Sequence, residues 1–156
     1  MAVQRAHDSR FLGVRMQADA HGIRAMLARR AGEGADAATI AAAALLIWRD
    51  VDQALAPIIG QPGVAALYKR SLYLALVEHP CLVTAYEGAL RAGDFAGLET
   101  TLSQQTSDEA SAAIISLLTT FHDLLTHLIG GSLFERLLRS VWEKPSSGEA
   151  AKDQAP

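Results

Sequence analysis

His122 and His127 stand in the run FHDLLTHLIGG, two imidazoles inside one apolar helical pattern. Imidazole can ligate a metal, accept phosphate or move a proton near neutral pH. At about 100° per residue the two rings diverge by about 140° around a helix. Ligands sharing one helical face stand at i, i+3 or i, i+4, as in H-E-x-x-H, so this pair is not expected to hold a metal. His127 falls opposite the apolar stripe, with Ser116, Thr120 and Asp123. Asp123 is one turn earlier, a spacing for a surface ion pair. His122 lies at the edge of the stripe beside Ile115 and Ile129, where packing is its expected role and ligand or phosphate binding the chemical alternative.

His79 precedes Pro80 near a helix end, where the macrodipole favours a cation. Cys81 follows and is expected to be a buried, inert thiol, although a dipole and a neighbouring imidazole could activate it. Nucleophilic catalysis requires a base and an oxyanion hole beside the nucleophile, and neither a G-x-S-x-G elbow nor a glycine-rich phosphate loop occurs. Glu78, Glu87, Asp50 and Asp52 lack the repeated Glu-x-x-His pattern of di-iron bundles. No catalytic residue, metal or cofactor is assigned, and a non-enzymatic role is expected.

Charge offers a different kind of candidate. Residues 1–31 carry six arginines and two aspartates, +4, while residues 32–156 carry −7 within a total of −3. Arg15, Arg24, Arg29 and Arg30 on the leading helix are therefore partner-binding candidates, with docking on the chain's own acidic body the simpler reading. Gly13 and Gly22 weaken that helix, so its attachment is expected to be loose and sensitive to salt. One short basic helix argues poorly for nucleic acid. In ALYKRSLYLAL, Lys69, Arg70 and Tyr73 share one side of a helix, a surface suited to phosphate or an acidic partner, with an ordinary solvent edge the simpler reading for only two cations. Phe134, Leu138 and Trp142, with Leu133, Leu137 and Val141, cover about half of the last helix. That width, and the all-round apolar IAAAALLIW, predicts a homodimer or a partner helix on those surfaces.

The elements that must position these residues are helical throughout: Ala, Leu, Glu, Gln and Arg dominate, without period-two alternation. Helices are expected over 9–30, over Ala37–Ile59 behind an Asp36 cap, and over 62–78, 81–91 and 95–104. Two more are expected over Ser107–Ile129 and 133–144, each started by a capping box: Thr106 with Glu109 and Ser132 with Glu135. The fold class is all-α, a single-domain bundle of six or seven helices with the second, third and sixth at its centre. Residues 1–8 are expected to be a flexible arm, 9–144 the bundle and 145–156 a disordered tail.

A chain of 156 residues, half of them apolar, can bury a core without staples. A single cysteine excludes an intrachain disulfide. The apolar run from Ile40 to Trp48 is far shorter than the ~20 residues of a membrane span, and the N-terminus lacks the layout of a secretory signal. A cytoplasmic location is expected. Arginine exceeds lysine 11 to 3, a bias of GC-rich bacterial genomes.

Comparison with helical families separates the alternatives. Histidine phosphotransfer domains carry H-x-x-K-G, whereas Asp-Leu-Leu follows His122 and Leu-Ile-Gly follows His127. No histidine matches the proximal position of a globin, and one leading helix cannot build the three-helix DNA-reading head of TetR-like regulators. The expected function is a protein-interaction or adaptor domain in bacterial regulation or signalling. The alternatives are a small-ligand sensor with an apolar pocket between helices and a phosphotransfer protein using His122.

Overall fold

The computed structural model of the chain describes residues 21–143, with side chains as far as Val141. The expected N-terminal arm, Arg15, the Trp142 side chain and the C-terminal tail lie outside the described residues. Residues 21–31 are helical (α1). They are followed by α2 (Ala37–Ile59), α3 (Gln61–Ala75), a 3-10 turn (Pro80–Leu82), α4 (Val83–Gly88), α5 (Ala96–Ser103), α6 (Ser107–Ile129) and α7 (Gly131–Glu143). No strand occurs among the described residues, so the chain is the all-α bundle that its composition predicts.

Local chemistry sets the helix boundaries. Asp36 accepts from the Thr39 amide at 2.9 Å and starts α2. Hydrogen bonds from the Thr39 hydroxyl and then from its amide hold the Asp36 carboxyl below the ordinary range. At the other end Gly60 adopts φ 83°, ψ 154°, and Gly130 repeats that conformation at φ 87°, ψ 155° between α6 and α7. This region is open in practice only to glycine, so each joint turns the chain with one residue.

Thr106 caps α6 as expected, accepting from the Glu109 amide at 3.1 Å. The reciprocal half of that box does not form, because the Glu109 carboxylate reaches His79 instead. The second expected box is also corrected. α7 is helical from Gly131, and its first hydrogen bond runs from the Phe134 amide to the Gly130 carbonyl. Ser132 is thus inside the first turn, where it cannot cap. Two further helices are shorter than expected: α3 ends at Ala75, and the span from 81 divides into the 3-10 turn and the six residues of α4. Pro80 removes an amide donor and constrains His79, and the chain tightens there.

α2 lies at the centre, packed on α3, α5, α6 and α7, and α6 packs on α2, α3, α5 and α7. Between them Trp48 is fully buried. Tyr68 and Phe121 meet it edge-on with ring centroids 4.8 Å away, and Phe95 lies tilted at 5.9 Å. Such aromatic pairs add to the burial of their area. Burial pushes the Tyr68 hydroxyl far above its ordinary pKa, with Asp94 adding repulsion, so it stays a neutral core group.

The all-round apolar IAAAALLIW finds most of its neighbours within this chain: Ile40, Ala41, Ala43, Ala44, Ile47 and Trp48 are buried, leaving Ala42 and Leu46 outward. Ile58 and Leu128, which continue the apolar periods of α2 and α6, are exposed, each in the last turn of its helix beside a glycine joint. Among the described residues α6 alone is long and apolar enough to cross a bilayer. Its Ala110, Ala113, Ile114, Leu117, Leu118, Phe121 and Leu125 are buried in the bundle, while Ser116, Thr120, Asp123 and His127 mark the opposite side. That is the pattern of an amphipathic core helix.

Candidate functional site: the outer face of α3 and α4

The inner side of α3 is set by Val64, Tyr68, Ser71, Leu72 and Ala75, all buried. At helical spacing, Tyr73 then points away from the core with Lys69 and Arg70 on either side of it. Tyr73 is half exposed. The reversal through the 3-10 turn brings α4 back alongside, and the Tyr86 ring lies 5.9 Å from that of Tyr73, tilted by 47°. Lys69 Nζ sits 5.1 Å from the centre of the Tyr86 ring and Arg70 Cζ 5.4 Å from that of Tyr73. Both are cation–π distances, so two cations and two rings form one cluster.

Exposed apolar side chains are concentrated in the same stretch of chain. Tyr73, Leu74, Val77, Val83 and Leu90 are five of the nine large hydrophobic residues exposed among the described residues, and all five lie between α3 and the segment just after α4. Val77 is 85 % exposed and Leu90 80 %. Isolated exposed apolar residues are ordinary, but a cluster rimmed by charge marks an interaction surface. Lys69, Arg70 and Tyr73 therefore share a face, as their spacing predicts. Tyr86, Val83 and Leu90 were not legible as members, because their place depends on the α3–α4 reversal.

The other expected candidates are placed differently. Phe134 and Leu138, with Val141, turn inward and are buried, which removes three of the six apolar side chains that the last helix was expected to offer a partner. Arg24 and Arg29 are exposed. Arg30 is not a surface cation: its side chain is 8 % exposed, and its Nη2 donates to Asp50 Oδ2 at 2.9 Å and to the Val141 carbonyl at 3.0 Å. With Ile23, Met26 and Leu27 also buried, the part of the leading helix in α1 is built into the core, contrary to the expected loose attachment.

His122 is partly buried as expected, its side chain 14 % exposed. Its ring meets Phe134 edge-on at 4.2 Å, and its Nδ1 lies 3.7 Å from Asp123 Oδ1. Asp123 thus stands near His122 as well as one turn before His127, which is exposed. His79 Nδ1 lies 2.9 Å from Glu109 Oε1, so a specific carboxylate partner replaces the expected role of the macrodipole. A carboxylate only accepts, which places a proton on Nδ1. Burial, and then the charge of Glu109, push the Cys81 thiol above its ordinary pKa. This disfavours the thiolate. No group of three or more His, Cys, Asp or Glu side chains is arranged to hold a metal among the described residues.

A cleft of about 280 Å³ opens between the end of α1 and the start of α6. Arg24, Glu33, Ser107, Asp108 and Ser111 share its wall with Leu27 and Ile115, a mixed lining quite unlike the apolar interhelical pocket expected of a ligand sensor. No protein-family model, curated protein or solved structure matches this chain, so its function is read from the chemistry of its own surface.

Proposed function

We propose that the chain is a non-enzymatic interaction domain that docks a protein partner on the outer face of α3 and α4. One observation carries this reading: Tyr73 and Tyr86 pair at the surface with a cation on each ring, and large exposed apolar side chains stand in the same α3–α4 stretch of chain. Tyrosine and arginine are enriched among the residues that dominate binding energy, because they combine broad apolar area with polar tips. Activity in bacterial regulation within the cytoplasm fits an adaptor of this kind. The phosphotransfer alternative is less well supported, because the His122 ring is mostly covered and packed on Phe134.

The test is affinity capture from the native host with the full chain and with a Val77→Asp, Leu90→Asp double variant. Both positions are exposed, so the melting temperature should hold while the captured partner is lost. Retention of the partner by a folded double variant contradicts the proposal.

A further inference from the structure

We infer that the occupant of the α3–α4 face is an amphipathic helix bearing carboxylates beside aliphatic side chains, a deduction that rests on the docking role proposed above. Charge points to such an occupant. Residues 32–156 carry −7 formally, yet no carboxylate forms an ion pair with Lys69 or Arg70 among the described residues. In an acidic body, these two cations lie on Tyr86 and Tyr73 instead. The rings restrict the side chains and shield one side of each charge from water. A carboxylate arriving from outside would find two cations already held at the surface, and Arg70 offers a planar fork of donors for it.

Spacing points the same way. Lys69 and Tyr73 stand at i, i+4 on α3, with Val77 four residues further on in the turn after Ala75. Val83 and Tyr86 stand at i, i+3 on α4, with Leu90 just past its end at Gly88. The two rows meet at the Tyr73–Tyr86 pair. A helix presents side chains at this same repeat, so its aliphatic row can lie along the rings and Val77 while flanking carboxylates reach Lys69 and Arg70. Single-stranded nucleic acid would also use rings and cations, but Leu74, Val77, Val83 and Leu90 give a phosphate backbone nothing to bind. The aliphatic content favours a protein.

The test follows amide chemical shifts of the isotope-labelled full chain during titration with synthetic helical peptides. One peptide carries leucines at i, i+3 and i+7 flanked by glutamates, the second replaces every glutamate by lysine, and the third scrambles the acidic sequence. The acidic amphipathic peptide should shift the amides of residues 69–90 and bind at least about tenfold more tightly than either control. Lys69→Gln with Arg70→Gln should weaken it by about tenfold. Lys69→Glu with Arg70→Glu should turn the preference toward the lysine peptide, a reversal that misfolding cannot imitate. Equal binding of the acidic and basic peptides, equal binding of the scrambled one, or shifts centred elsewhere would overturn the inference. So would concentration-dependent shifts of the same amides without peptide, which would assign the face to a second copy, or tighter binding of a single-stranded oligonucleotide. If no peptide binds while the Val77→Asp, Leu90→Asp variant still loses its captured partner, the acidic helix is wrong and the docking role stands. Capture that survives that variant removes the docking role itself.

Discussion

Arg30 and Asp50 meet at 2.9 Å, and the same Arg30 nitrogen donates to the Val141 carbonyl at 3.0 Å. One largely buried guanidinium therefore joins α1, α2 and the last turn of α7. It also satisfies a carbonyl at a helix end, where intrahelical donors run out. Replacing Arg30 by alanine leaves Asp50, 20 % exposed, without this cation. The loss should fall between that of an exposed pair and a fully buried one, about 2 kcal/mol. Urea denaturation of the Arg30→Ala variant measures it, and hydrogen exchange should show the end of α7 opening first.

Gly60 and Gly130 share one backbone conformation at the α2–α3 and α6–α7 joints. An alanine at either position must adopt a region that L side chains avoid, at a cost of about 2 kcal/mol. Thermal or urea unfolding of Gly60→Ala and Gly130→Ala should show it, although an added Cβ at Gly130 would have open space around it. A loss confined to Gly60, whose Cβ would make only an ordinary contact with Pro62 Cδ at 3.6 Å, would contradict backbone strain as the shared cause.

Cys81 should alkylate more slowly than a free thiol at neutral and mildly alkaline pH. Burial raises its folded-state pKa above the unfolded value, with Glu109 adding repulsion. The associated stability is thus fully present below the ordinary thiol range and is lost as pH rises through the raised value. Iodoacetamide kinetics against a cysteine peptide check the sign: a faster folded-state reaction contradicts it.

His127→Ala should change stability by less than ~0.5 kcal/mol, because the side chain is exposed. His122→Ala should cost about 1–2 kcal/mol through its lost edge-on packing on Phe134. Parallel urea titrations of the two variants compare them. Equal losses would show that the Phe134 contact contributes little.

The long helices were legible because their signals are local. Asp36 and Thr106 cap as their side-chain chemistry requires, and the apolar periods of α2 and α6 run without interruption to Gly60 and Gly130. Boundaries failed where a tertiary partner competed with a local one. Glu109 turns to His79 rather than back to its own cap, and Ser132 is taken into α7 by a hydrogen bond beginning at Gly130. Hydrophobic width on the last helix did not distinguish a partner from the chain's own core, since Phe134, Leu138 and Val141 all face inward. Three residues of the proposed surface, Lys69, Arg70 and Tyr73, were readable in YKRSLY, where they stand about one helical turn apart. Tyr86 was not, because thirteen residues and a chain reversal separate it from Tyr73.

The docking face is tested most directly by placing a photo-crosslinking amino acid at position 77 of the full chain in its native host, with exposed position 127 on α6 as a control. The account predicts a discrete adduct with a second protein from position 77 that is absent from position 127 and is lost when Tyr73→Ala is combined with the probe. No adduct at 77, or the same adduct from both positions, would contradict it.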